Sequence, residues 1–90
     1  MTTKPSMQYR ASTEIANGSD RAIKVYVEPW GDEIILAPKE SVRVDIIAPS
    51  LEAVPVSYAD RAITVVGWAG SIAEIWKGNT RLNTPGPPSP

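Results

Sequence analysis

Cysteine, histidine and phenylalanine are all absent from this 90-residue chain. Without cysteine there can be no disulfide, no thiolate metal site and no cysteine nucleophile. Without histidine the commonest general base and the commonest metal ligand are missing, and Ser-His-Asp chemistry is impossible within the chain. No segment approaches the roughly 20 apolar residues of a membrane span. No apolar stretch of signal-peptide length follows Met1 to Met7 either, so a cytoplasmic location is expected. Charge of one sign is never concentrated. The nine Lys and Arg are scattered singly and the net charge is −1, so neither nucleic acid nor membrane is an expected partner.

What remains is an ordinary globular composition, 42% hydrophobic and 21% charged, sized for a single domain. A domain this small buries only roughly 60–65% of the surface its unfolded chain exposes. Its core must be thin, and any site must be a shallow groove, a loop rim or a strand edge. Nine prolines suit short strands separated by turns and oppose long helices.

Alternation with a period of two runs through most of the chain. From Gln8 to Ala16, Tyr9, Ala11, Thr13 and Ile15 share one face. Asn17-Gly18-Ser19-Asp20 is a turn signal. Arg21 to Glu28 is the clearest strand, with Ile23, Val25 and Val27 on one face. After Pro29-Trp30-Gly31-Asp32 comes a short strand at Glu33 to Leu36, then a turn at Ala37-Pro38-Lys39-Glu40. Ser41 to Ala48 alternates with Val42, Val44 and Ile46 inward and Arg43 and Asp45 outward. Leu51 to Tyr58 is weakened by Pro55, which marks an edge strand or a bulge. Arg61 to Trp68 is rich in β-branched residues. Ser71 to Lys77 is read as strand, although Ile72, Ile75 and Trp76 also fit helical spacing, and Thr80 to Leu82 can add a last short strand.

Strand signals every 8–12 residues indicate an all-β fold. The expected form is a single small antiparallel β-sandwich or partly open barrel of about seven strands. Residues 1–7 form an expected flexible leader, 8–83 the β domain, and 84–90 a disordered, proline-rich tail. The expected core is Ile15, Ile23, Val25, Val27, Leu36, Val42, Val44, Ile46, Ile63 and Val65.

Function is carried by few features. The turn around Trp30 gathers Glu28, Asp32 and Glu33, a candidate binding site. Its residue types are explained by turn chemistry alone, with Trp30 capping one end of the sandwich. A tryptophan beside charges also suits a protein contact. The three carboxylates could instead hold a cation or act hydrolytically, although the ligand spacing of a calcium loop is missing. Trp68 and Trp76 read as core or half-core, or as an aromatic platform for sugars. Asn17-Gly18-Ser19 matches a glycosylation sequon that is incidental here, and Pro85 to Pro88 and Pro87 to Pro90 have the spacing that aromatic grooves read. No catalytic residue, metal ligand or cofactor is indicated.

The run Ile23-Lys24-Val25-Tyr26-Val27-Glu28-Pro29-Trp30-Gly31-Asp32, followed by Leu36-Ala37-Pro38-Lys39-Glu40, resembles small bacterial proteins of unknown function. These share a strand ending in Glu-Pro-Trp-Gly and a later Leu-x-Pro-Gly turn, over about a third of the chain; Lys39 stands where that turn usually has glycine. The resemblance implies a bacterial or phage origin and brings no activity with it. The expected function is therefore a non-enzymatic protein-binding module. Its expected partner is another protein, or a second copy joined through an edge strand, with Leu51 to Tyr58 as the candidate edge. The alternatives are a carbohydrate-binding domain using surface tryptophan and a small metal or hydrolytic carboxylate site.

Overall fold

In a computed structural model that describes residues 9–84 and 88–90, alternation becomes eight strands and no helix. They are β1 (Tyr9–Ala16), β2 (Ile23–Glu28), β3 (Asp32–Leu36), β4 (Ser41–Ala48), β5 (Val56–Ala59), β6 (Ala62–Val66), β7 (Ile72–Lys77) and β8 (Thr80–Arg81). Two four-stranded sheets form, in the orders β1-β4-β7-β8 and β3-β2-β6-β5. Among the described residues, no helix is long and apolar enough to cross a membrane.

Every neighbouring pair is antiparallel except β2 and β6, which run parallel. That exception departs from a purely antiparallel sandwich. It is possible because the chain leaves β2, builds β3, crosses to β4 in the other sheet and returns through β5, a connection long enough for parallel pairing. The ambiguous segment at Ser71 to Lys77 resolves as strand. Ala73 and Ile75 point into the core two residues apart, and the strand pairs with β4 from Arg43↔Trp76 to Ile47↔Ile72.

One apolar layer lies between the sheets. Ile15, Val42, Val44, Ile46, Ala73 and Ile75 come from the first sheet, and Val25, Val27, Leu36, Ile63 and Val65 from the second. Ile23, at the open start of β2, is only half-buried and packs against this layer from its margin. Asp45, expected to face water, is instead 1% exposed. It does point away from the core, but arginines from two strands close over it.

The hairpin ends show why the turns form. Lys39 takes a φ of +68° behind Pro38, and the Glu40 N–H donates to the Ala37 carbonyl at 3.1 Å, the pattern of a type II turn. Asp60 and Arg61 both have positive φ between the paired Ala59 and Ala62, as a type I′ hairpin requires. Asn17, 2% exposed, ties two turns together. Its side-chain amide donates to the carbonyls of Arg21 (2.7 Å) and Leu36 (3.0 Å), and its Oδ1 accepts from the Ser19 N–H and hydroxyl. A glycan cannot be carried on this amide without losing those bonds, so the sequon is structural. Because Asn17 follows β1 and Leu36 ends β3, the same bond sets β1 and β3 on one flank of the sandwich. β8 and β5 lie on the other.

The leader at 1–7 falls outside the described residues, as do 85–87 of the tail. Ser89, within the segment expected to be free, is held at one end of the sandwich. Its N–H donates to the Ser71 carbonyl and its carbonyl accepts from the Gly70 N–H, each at 2.8 Å.

Candidate functional site

The Glu28–Glu33 turn is a built corner of the core. A cis bond joins Glu28 to Pro29, Gly31 takes a φ of +79°, and the Gly31 N–H returns to the Val27 carbonyl at 3.1 Å. Trp30 is folded inward. Its ring packs against the apolar layer and over Gly67, leaving no room for a Cβ there. The Gly67 N–H donates to the Glu28 carbonyl at 2.8 Å, fastening this turn to the end of β6. Burial of the ring leaves the Trp30 Nε1 without a hydrogen-bond partner among the described residues.

Register divides the carboxylates: Glu28 and Glu33 share the outer face with Tyr26, and Asp32 leaves it. Asp32 lies opposite Val27, whose side chain faces the core, whereas Glu33 lies opposite Tyr26 on the outer face. Side chains of neighbouring strand residues point to opposite faces, so Asp32 and Glu33 diverge. Glu33 faces Lys24 at 3.5 Å, an exposed pair of little energetic consequence. Among the described residues, no three acidic side chains are grouped to hold a metal ion.

The tryptophans do not share a face. Trp68 joins Trp30 against the core, with its Nε1–H donating to the Ser50 carbonyl at 3.2 Å. Buried Ser71 fastens the same end by accepting the Trp68 N–H at 3.0 Å and donating its hydroxyl to the Trp68 carbonyl. Trp76 stands on the outer face of the first sheet, half-buried, with the Arg43 guanidinium 5.6 Å from its ring centre.

Around Trp76 lies a charge network that a strand-by-strand reading of the sequence misses. Arg10 Nη1 donates to Asp45 at 2.6 Å and Glu74 at 3.1 Å; Arg43 Nε donates to Asp45 at 3.1 Å; Arg81 approaches Glu74 at 3.7 Å. Glu74, then Asp45, holds the Arg10 guanidinium still more firmly protonated than usual. The network largely neutralises itself, so it organises the sheet more than it attracts a charged ligand. Beside it is a shallow pocket of about 180 Å³ lined by Glu14, Ser41, Val42, Arg43, Trp76 and Gly78. That is smaller than the roughly 300 Å³ at which enclosed small-molecule sites begin.

Apart from Ile35 on the outer face of β3, 62% exposed, the most open apolar surface is at β5. All four residues of this strand are exposed, Tyr58 at 78%, and Leu51 in the preceding loop is 63% exposed. Tyr58 lies opposite buried Ile63 and so points to the core side of its sheet. It stays uncovered because β8, only two residues long, supplies the facing flank. The backbone is open too. The Val66 N–H donates to the Pro55 carbonyl, so alternation turns the peptide groups of Ser57 and Ala59 toward β6 and those of Val56 and Tyr58 outward.

The chain is thus a two-sheet β-sandwich with one long and one apolar strand edge. Compared with known proteins, it matches no family model, no curated protein and no solved structure.

Proposed function

We propose that this protein is a non-enzymatic protein-binding module that takes an extended apolar segment of a partner along β5. The observation that carries the reading is Tyr58, 78% exposed on an edge strand. Tyr58 and Val56 project uncovered side chains and also aim their N–H and C=O groups outward, the two elements that strand addition uses. Leu51, in the loop that leads into β5, is a further exposed apolar side chain. Trp30, whose ring is spent inside the fold, is not part of this surface.

Selection from a random peptide library on the immobilised domain tests the proposal. Recovered peptides should alternate apolar residues, protect the Val56 and Tyr58 amides from hydrogen exchange, and bind Tyr58→Ser at least about tenfold more weakly, as loss of a desolvated aromatic anchor implies. Peptides whose binding is indifferent to Tyr58→Ser, or a library yielding none, would defeat it.

A second reading, carbohydrate binding, is favoured by the pocket at Trp76, where one indole lies beside Glu14, Ser41 and Arg43. Glycan-array binding that quenches tryptophan fluorescence and disappears in Trp76→Ala would support it. A blank array would remove it.

A further inference from the structure

We infer that two copies of this chain pair antiparallel through the free edges of β1, centred on Ser12. This goes beyond the peptide-binding reading and does not depend on it, because β1 and β5 lie on opposite flanks.

The edge itself is the first ground. Soluble β proteins blunt exposed edges with short strands, lysine, proline or bulges. β1 has none of these. It is eight residues long and pairs with β4 in an unbroken register from Tyr9↔Ala48 to Ala16↔Ser41. The other edge strands are shorter, at five, four and two residues for β3, β5 and β8. The middle of β1 is Ala11-Ser12-Thr13, small enough for a second backbone to approach closely.

Hydrogen-bond parity is the second ground. The Asn17 N–H donates to the Glu40 carbonyl at 2.8 Å, continuing the β1–β4 ladder. Alternation then turns the peptide groups of Tyr9, Ala11, Thr13 and Ile15 toward β4. Those of Arg10, Ser12, Glu14 and Ala16 face the open edge.

The third ground is charge complementarity between copies; within the chain Glu14 stands opposite Arg43, whose guanidinium is turned to Asp45 and Trp76 instead. When Ser12 faces Ser12 of the second copy, Arg10 faces Glu14 and Glu14 faces Arg10 across the two-fold axis. All four lie on the outer face and belong to hydrogen-bonded pairs. On the core side, half-exposed Tyr9 meets Ile15 and Ala11 meets Thr13. Sliding by one residue puts side chains on the wrong faces. Sliding by two leaves both charges unpaired, and sliding by four sets Arg10 against Arg10 or Glu14 against Glu14. Within its own chain Glu14 has no ionic partner among the described residues. Arg10 uses only Nη1 on Asp45 and Glu74, leaving its other guanidinium nitrogens to donate to the Glu14 carboxylate of the second copy. The product is one continuous eight-stranded sheet across an isologous interface.

Sedimentation equilibrium over a wide dilution series tests this. The wild type should approach twice the 9.7 kDa of one chain. Glu14→Arg sets like charges opposite each other at both ends and should weaken association by about tenfold or more. Ser12→Pro should abolish it while keeping every bond to β4, since the N–H it removes faces outward. Tyr58→Ser should remain dimeric. The absence of native cysteine adds a register test. Ser12→Cys should oxidise to a covalent dimer, because opposed Cα atoms at about 5.5 Å are within disulfide range. Glu14→Cys, facing Arg10 instead, should not. A wild type that stays monomeric throughout, or an association that survives both Glu14→Arg and Ser12→Pro, would overturn the inference.

Discussion

Replacing Gly67 by alanine should be among the most damaging single-carbon changes available to this fold. Its backbone is not in the left-handed region, so the substitution is not opposed by φ. The obstacle is Trp30. A Cβ on residue 67 would sit 2.8 Å from Trp30 Cζ3, nearer still to Cη2, and 2.9 Å from Ser71 Oγ. Carbon atoms in contact prefer about 3.5–4.0 Å, so the ring must retreat by roughly 1 Å. It cannot do so freely, because it packs against the apolar layer and its turn is fastened by the Gly67 N–H. Overpacking of this kind costs about 1–3 kcal/mol. In a domain this small each kcal/mol lowers Tm by about 4–8 °C, so thermal unfolding followed by circular dichroism should show a fall of about 5–20 °C. The same alanine on a Trp30→Leu background should cost distinctly less, since Leu lacks the two offending ring atoms and only the Ser71 Oγ contact at 2.9 Å remains. The double-mutant cycle should therefore return a coupling of about 2 kcal/mol. A Gly67→Ala protein melting with the wild type, or an equal penalty in both backgrounds, would refute the close contact between ring and strand end.

Other outcomes follow from the turns and the charge network. Lys39→Gly relieves a left-handed conformation worth about 1–2 kcal/mol, partly offset by the entropy of glycine in the unfolded chain, and should raise Tm by a few degrees. Converting both Arg10 and Arg43 to Met strands a carboxylate that is 1% exposed; chemical denaturation should show a loss of about 3–5 kcal/mol. Asp45→Ala should cost less, because the released arginines can reach water. Glu40 is held below the ordinary carboxylate range by the Lys77 ammonium and then by the Ala37 N–H. Its folded pKa is depressed, so its contribution is present above the unfolded value near 4.5 and disappears as pH falls through the lowered one. Glu40→Gln should lower Tm slightly in the neutral region, where the carboxylate contributes, and leave the most acid region unchanged, so that the acid limb of a Tm-against-pH curve is flattened.

Periodicity revealed the architecture because it is a local property. β4 runs from Ser41 to Ala48 as its alternation requires, and Val42, Val44 and Ile46 point inward whatever lies beside them. The weakness at Pro55 likewise marked the sheet edge that became β5. Contacts set by strand order were hidden. Asp45 reads as a solvated outward residue until β1 and β7 bring Arg10 and Glu74 beside it from distant parts of the chain. The parallel pairing of β2 with β6 has no local signature either, since side chains alternate alike in both directions.

The candidate site is divided between two faces for the same reason. Glu28, Trp30, Asp32 and Glu33 are neighbours in sequence, but a strand separates consecutive side chains onto two faces, and Asp32 follows Val27 to the core side while Glu33 follows Tyr26 outward. Trp30 is then claimed by Gly67, a partner that only the β2–β6 pairing supplies. What a β-sandwich this thin can offer to another molecule is what its own sheets leave unpaired. Among the four edge strands, the longest run of unused peptide groups is on β1 and the most exposed aromatic side chain is on β5, and these two lie on opposite flanks. If both edges act, pairing through β1 would carry two copies of the β5 surface on one rigid body. A bivalent partner would then be held more tightly than a monovalent one by effective concentration alone, with no further contact required. Ser12→Pro should remove that advantage while leaving the affinity for a single peptide unchanged, and an equal loss for both kinds of ligand would mean that the two edges are not independent.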